Sequence, residues 1–240
     1  MKSFFEKLEV YLPYLEDLQS RLFGTTIIFS VFFVLGFFSA GIILRGFVSF
    51  FKIDGVVLAA SSPFQFANLA MDIAFFVSLL VCLPVIIYHL FSFTASALTK
   101  KEKKVVYFLI PVSLFLYLFG FAYSFMVLYY SFELLASLNE SLGIKNIWDI
   151  GAFLSQIFMT SILLGILFEF PIILTLLIRI GFMKVKFLQE KRRIAVFTVF
   201  ILASLLPPTD GLSLLAMVVP LIFLYEATIF ININKTKCLD

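Results

Sequence analysis

Residues 22–44 form a run of 23 residues without one charged side chain. As an α-helix, such a run rises about 1.5 Å per residue and crosses about 30 Å of hydrocarbon. Of all 240 residues, 62% are hydrophobic and 14% are charged, whereas soluble domains have roughly 45–50% apolar and about 25% charged residues. A soluble fold of this length exposes too much surface to hide that much apolar side chain. The sequence therefore predicts one integral membrane domain over residues 1–240.

Further apolar runs predict an all-α, polytopic membrane protein with six spans. The run at 194–206 has only 13 residues, which is typical of a re-entrant or interfacial segment. Because the basic residues before it can snorkel and a locally thinner bilayer can accommodate it, we count it as a short span. The predicted spans are 22–44, 73–93, 105–130, 152–178, 194–206 and 212–233.

The distribution of basic residues predicts the orientation. If all six segments cross, 15 of the 18 Lys and Arg residues lie on one side, and only Arg45, Lys52 and Lys145 lie on the other. The positive-inside rule then places both termini in the cytoplasm. Five spans would move only the two basic residues of the tail, so the split favours six without excluding five. Since the basic residues form short runs rather than one folded face, nucleic-acid binding is not predicted.

The segment before the first span, residues 4–20, has apolar residues at helical spacing, with Glu9, Glu16, Asp17 and Ser20 off that line. We interpret it as an amphipathic helix on the cytoplasmic face, with Pro13 as a candidate break. The alternative is that the segment simply continues the first span.

The inventory of reactive side chains argues against an enzyme. The chain has one histidine, His89, two cysteines, no G-x-S-x-G turn and no glycine-rich phosphate loop. A serine-type intramembrane protease, a zinc centre and a haem site all need more than these residues supply. We therefore predict no catalytic residue, no bound metal and no cofactor.

Glu169 is the most informative single residue. It lies about ten residues, roughly 15 Å, from one end of the predicted fourth span, where an ionised side chain costs roughly 2.5 kcal/mol or more. No basic residue in that run pairs with it, so the carboxyl group must be protonated, hydrogen-bonded or facing a polar cavity. Pro171 cannot donate to the carbonyl of Leu167, so a kink is predicted beside the acid. This combination favours a working site over a purely structural hydrogen bond.

Other acids have simpler explanations beside the functional ones. Glu226 lies near a predicted span end, where an interfacial acid is the alternative to a working residue. Asp210, in the turn before the sixth span, is placed to cap that helix. Asp17 and Glu102 lie on the predicted cytoplasmic side, where carboxylates can receive Arg guanidinium groups in a bidentate fork. For Glu102, a local salt bridge with the flanking lysines is the simpler explanation.

Several segments resemble, in order and spacing, the motifs of a known family. YLEDLQSRL at 14–22 resembles H-L-x-E-L-R-x-R-L, and FEFP at 168–171 resembles F-E-x-P. PVIIY at 84–88, FSF at 91–93 and ALTKKEK at 97–103 resemble P-V-I-L-Y-x-x-W-x-F and A-L-Y-x-x-E-R. PTD at 208–210 and LYE at 224–226 resemble P-P-D and L-[FY]-E. Together these segments are similar to those of TatC, the multispanning receptor subunit of the twin-arginine protein translocase.

The resemblance implies a concave, glove-like bundle of six spans with short fifth and sixth helices, in the cytoplasmic (inner) membrane. It implies a non-enzymatic receptor that binds the twin-arginine signal peptides of folded export substrates. It also implies assembly with small single-span translocase subunits and a homo-oligomer within the complex.

The resemblance further assigns site residues in three groups. Asp17 and Glu102 would pair with the arginines of the signal; the whole signal-peptide surface comprises Asp17, Arg21, Phe93 and Glu102. The concave face, where partner helices dock, comprises Glu169, Pro171 and Glu226, and Asp210 is the acid of the outer turn. The chain departs from the family pattern at Asp17, Gln19, Ser96 and Thr209, which puts the affinity for the signal in question but leaves the architecture intact.

The residues by themselves also allow a second function. A proton-coupled secondary transporter would use Glu169 as its proton carrier. The sequence has no internal repeat, and many transporters of this kind show one. This absence weighs against the transporter alternative without excluding it.

Overall fold

The computed structural model describes residues 2–96, 100–207 and 210–236, without the side chains of 2–18, 93–94, 96, 100–102 and 234–236. The described chain is almost entirely helical. Its elements are α1 (Lys2–Phe50), β1 (Val56–Ala59), α2 (Gln65–Ser96), α3 (Lys100–Ser141), β2 (Asn146–Asp149), α4 (Ile150–Phe168), α5 (Phe170–Arg179), α6 (Val185–Glu190), α7 (Arg192–Ser204) and α8 (Gly211–Thr236).

Five helical segments within the described residues are long and apolar enough to cross a membrane, which confirms the predicted all-α polytopic class. They are Gln19–Phe50, Gln65–Ser92, Lys103–Ser141, Ile150–Arg179 and Gly211–Ile233. Helix α7 has 13 residues and is therefore about 20 Å long, against about 30 Å of hydrocarbon. A sixth crossing by α7 stays a prediction.

Helix α1 runs from Lys2 to Phe50 without a break at Pro13, so that candidate break is wrong. The backbone of residues 4–20 continues the helix of the first span; the placement of this segment as an amphipathic helix on the cytoplasmic face stays a prediction. Proline is tolerated because one missing N–H removes only one backbone hydrogen bond, and membrane helices re-satisfy the freed carbonyl locally. Pro84, Pro111 and Pro220 likewise lie inside helices α2, α3 and α8.

Close helix contacts hold the bundle together. A Cβ atom added at Gly36 of α1 would lie 2.9 Å from the Cα of Ala74 in α2, and one at Gly120 of α3 would lie 2.6 Å from the ring of Phe168 in α4. Small residues at such positions let helix backbones approach closely, which is how helices associate where no water drives them together.

One end of the bundle carries a two-stranded parallel sheet. Strand β1 pairs with β2 in the register Val56↔Asn146 to Ala59↔Asp149, which joins the α1–α2 connection to the α3–α4 connection. We call this the sheet end, and the opposite end the α2–α3 end. At the α2–α3 end, Nη1 of Arg21 in α1 donates to the carbonyl oxygen of His89 in α2 at 3.2 Å.

Candidate functional site

The break predicted beside Glu169 is present. Helix α4 ends at Phe168 and α5 begins at Phe170, so Glu169 is the C-cap of one helix and the N-cap of the next. Pro171 occupies the first turn of α5, where a missing N–H costs no helical hydrogen bond. The backbone N–H of Glu169 donates to the carbonyl of Ile166 at 3.0 Å. The sequence thus places an acid at the one helix junction inside this span.

The carboxyl group of Glu169 is hydrogen-bonded inside the bundle. Its side chain is 3% exposed, and the hydroxyl of Ser113 in α3 donates to Oε2 at 2.6 Å. Among the described residues, Oε1 and the hydroxyl of Tyr117, one turn after Ser113, are buried without a hydrogen-bond partner. Of the three states that the sequence allowed, a hydrogen-bonded carboxyl group is the one observed. In this structure the group lies between helices rather than on an open surface, so docking of a partner helix there stays a prediction.

Three of the four predicted signal-binding residues have side chains outside the described part of the structure: Asp17, Phe93 and Glu102. Their backbone positions are described. Asp17 lies one helical turn before Arg21 in α1, Phe93 lies one turn after His89 in α2, and Glu102 lies in the first turn of α3.

Arg21 itself ties α1 to α2 through its hydrogen bond to the carbonyl of His89. Since α2 and α3 are separated by only residues 97–99, the contact brings the backbone of all four predicted residues to the α2–α3 end. No side-chain contact among the four follows from this placement.

Glu226 pairs with a basic residue of a neighbouring helix. Its Oε2 lies 3.2 Å from Nη2 of Arg192 at the start of α7, and both side chains are partly exposed. The adjacent Tyr225 donates its hydroxyl to the carbonyl of Leu188 at 2.8 Å. This placement fits an acid that joins α8 to the start of α7. A role for Glu226 on a partner-binding face stays a prediction.

Asp210 caps α8, as its position in the sequence predicted. Its Oδ2 accepts from the backbone N–H of Ser213 at 2.9 Å, and its Oδ1 accepts from the Ser213 hydroxyl. The hydroxyl of Thr160 in α4 donates to the carbonyl of Pro207. Together these hydrogen bonds fix the turn between α7 and α8 against the middle of the bundle.

A polar cluster at the sheet end, which we call the polar clamp, was not predicted from the sequence; it comprises Ser61, Gln65 and Asp149. Oδ2 of Asp149 accepts from Nε2 of Gln65 at 2.8 Å and from the hydroxyl of Ser61. Oδ1 accepts from the backbone N–H of Ala152 at 2.8 Å, which makes Asp149 the N-cap of α4. These bonds, the one from Ser61 first, hold the pKa of Asp149 well below its ordinary value. An acid three residues before Ala152, at the start of a long apolar run, was the available signal for the cap.

Within the described residues, no group of three or more His, Cys, Asp or Glu side chains lies close enough to hold a metal ion. The acidic side chains described above instead form contacts between separate elements of the fold: Glu169 with Ser113, Glu226 with Arg192, and Asp149 with Ser61 and Gln65. Such contacts hold helices in place and offer carboxylates as acceptors.

Comparison with known proteins identifies the family. The family model described as "Sec-independent protein translocase protein (TatC)" matches residues 13–220. The Sec-independent protein translocase protein TatCy of Bacillus subtilis (strain 168) is 31% identical over 222 residues, which cover 92% of this chain and 87% of that protein. TatC of Escherichia coli (strain K12) is 30% identical over 163 residues, which cover 68% of this chain and 63% of that protein.

A solved structure has the same fold. The crystal structure of the twin-arginine translocase receptor TatC in DDM superposes with a TM-score of 0.79 at 25% identity, covering 90% of this chain and 98% of that chain. These relatives give no support to the solute-transporter alternative. The membrane-crossing helices, the family model and the relatives agree, and the chain belongs to the TatC family of Sec-independent protein translocase proteins, as a multi-pass membrane protein.

Proposed function

We propose that this protein is the receptor subunit of a twin-arginine translocase, which binds the signal peptides of folded proteins and organises their export. The observation that carries the proposal is the fold similarity over 90% of the chain to a structure described as a twin-arginine translocase receptor. The bias of 15 among 18 basic residues supports an orientation with both termini in the cytoplasm, and hence a place in the cytoplasmic membrane.

The recognition surface of this proposal lies at the α2–α3 end. Asp17 precedes Arg21 by four residues, which is about 6 Å along a helix. Arg21 is held at the level of His89, and α2 and α3 are joined by only residues 97–99. The backbone geometry therefore supports a recognition surface to which Asp17, Phe93 and Glu102 all contribute from one end of the bundle.

Two carboxylates suit a pair of arginines for a chemical reason. A guanidinium group is planar and presents its N–H donors in a fork that matches both oxygens of a carboxylate, whereas a lysine ammonium is a point charge that lacks this match. Signal recognition at Asp17 and Glu102 would therefore discriminate Arg-Arg from Lys-Lys at equal charge. The apolar part of the signal then lies along the bundle towards Glu169. The small single-span subunits dock in the same region. The complex contains several copies of this chain.

Replacement of Glu102 by Gln tests the proposal, because Gln keeps the shape and removes the charge. We expect Glu102→Gln to reduce site-specific crosslinking to a twin-arginine signal peptide, and export of a folded reporter, by tenfold or more. Glu133→Gln is the matched control, since Glu133 is an exposed acid near the opposite end of α3. If crosslinking and export in the Glu102→Gln protein equalled those of the control, the recognition role would be wrong.

The transporter alternative predicts a different result in a purified system. Proteoliposomes that contain this chain alone would take up a solute in response to a proton gradient, and Glu169→Gln would abolish uptake. The receptor proposal predicts no uptake by the chain alone and export activity that depends on the small subunits.

A further inference from the structure

The connection between α5 and α7, together with the first turn of α7, carries a basic patch, which we define as Lys184, Lys186, Lys191 and Arg193. All four residues are exposed. Among the residues that the structure describes, the only acid paired with the patch is Glu190, 4.0 Å from Nζ of Lys186, and both of these side chains are more than half exposed. A pair that is open to solvent in this way neutralises little. Among the described side chains, no other acid pairs with the patch, which therefore presents a concentration of positive charge.

The patch sits on a fixed platform rather than on a loose loop. Val185 and Leu188 of α6 are buried against α8, in a cluster with Tyr225. The hydroxyl of Tyr225 bonds the carbonyl of Leu188 at 2.8 Å, and Arg192 pairs with Glu226 at 3.2 Å. Because the buried residues of α6 face α8, the lysines on either side of them face the surroundings.

Exposed phenylalanines lie among these cations. Phe182 is 80% exposed, Phe187 is 49% exposed and Phe197 is 63% exposed. The preceding membrane-crossing segment ends at Arg179, so the patch begins within a few residues of the membrane boundary. Aromatic rings in the acyl region and cations at the phosphate level are the arrangement of a surface that contacts anionic lipid.

We propose that the basic patch binds the headgroup of an anionic phospholipid. Phosphate oxygens accept from Lys and Arg, and a basic cluster next to a membrane-crossing helix attracts anionic headgroups. Free inorganic phosphate shares the headgroup's chemistry, but only a lipid also carries acyl chains, which the exposed phenylalanines beside the cations can contact. The proposal does not depend on signal recognition, and it holds for either orientation of the chain.

Native mass spectrometry of the detergent-purified protein tests the proposal, with phosphatidylglycerol and phosphatidylcholine of identical acyl chains as probes. The triple variant Lys184→Gln, Lys191→Gln, Arg193→Gln removes three exposed cations. Its matched control is Arg45→Gln, Lys52→Gln, Lys145→Gln, which removes three exposed cations from residues towards the sheet end. One cation near an anionic surface contributes about fivefold in affinity. We therefore expect the patch variant to lose at least tenfold of its preference for phosphatidylglycerol, and the control to keep it.

Other outcomes would overturn the proposal. An equal loss in both triple variants would assign the preference to net charge rather than to the patch. Displacement of phosphatidylglycerol by inorganic phosphate at constant ionic strength would make this a phosphate site and not a lipid site. Should the triple variant fail to fold, each single variant removes one exposed cation and is expected to lower the preference several-fold; no loss in any of them would contradict the proposal.

Discussion

Ser113 and Glu169 show how one hydrogen bond is placed inside a membrane bundle. The acid is set at a helix junction by Pro171, and the hydroxyl of Ser113 reaches it from α3 at 2.6 Å. Burial without a partner would leave the carboxyl group with its full cost of desolvation. The hydroxyl of Ser113 offsets part of that cost and ties the acid to α3.

Replacing Ser113 by Ala removes that donor. We expect a loss of about 1–3 kcal/mol in the free energy of unfolding, because Oε2 of Glu169 would then be buried without a partner. The measurement is thermal or denaturant unfolding in detergent. Ser30→Ala is the control, since its hydroxyl is exposed and bonds only within its own helix. In the Glu169→Gln background the effect of Ser113→Ala should shrink; an equal effect in both backgrounds would show that the two side chains are not coupled.

The polar clamp predicts a pH dependence of stability. Hydrogen bonds from Ser61, Ala152 and Gln65 lower the pKa of Asp149 in the folded protein. A carboxyl group of this kind contributes stability that is complete above its unfolded pKa of about 3.9 and is lost as the pH falls through the folded pKa. The difference in unfolding midpoint between wild type and Asp149→Asn should thus be constant from about pH 5 to 8 and shrink below about pH 4. A difference that instead grew on acidification would contradict this assignment.

At the scale of elements, residues that are close in the sequence predicted where helices begin and end. Contacts between segments that are distant in the sequence were not predicted. The break at Glu169 and the cap at Asp210 follow from residues that are neighbours in the sequence. The polar clamp was not predicted, because Asp149 contacts Ser61 and Gln65 across 88 and 84 positions of the sequence. Strands β1 and β2 were missed too, since four residues are too few for an alternating pattern to stand out from a loop.

Gly120 in α3 allows this helix to pack closely against α4. A Cβ atom at Gly120 would lie 2.6 Å from Cγ of Phe168, which is itself fully buried. We expect Gly120→Ala to destabilise the protein by about 1–3 kcal/mol through overpacking. The matched control is Gly46→Ala in α1, where a Cβ atom meets nothing within 4 Å; it should be neutral or stabilise by about 0.5–1 kcal/mol. Equal effects on the unfolding midpoint would rule out close α3–α4 packing at Gly120.

At the scale of the whole molecule, the fold class could be predicted from the sequence. Membrane helices satisfy their backbone hydrogen bonds internally, so a long apolar run by itself indicates a membrane-spanning helix. The short helix α7 is the exception. With only 13 residues, its length does not distinguish a helix that crosses the membrane from one that is partly inserted. Motif resemblance was needed to assign Asp17 and Glu102 to signal recognition, because composition alone cannot distinguish these acids from ordinary salt-bridge partners.

The binding of paired arginines at the α2–α3 end is the central claim, and affinity for matched peptides tests it most directly. The measurement compares the Kd of an Arg-Arg signal peptide with that of a Lys-Lys peptide, for wild type and for the double variant Asp17→Asn, Glu102→Gln in detergent or nanodiscs. We expect wild type to prefer Arg-Arg by tenfold or more, and the double variant to bind both peptides with similar affinity. An undiminished preference for Arg-Arg in the double variant would contradict the account.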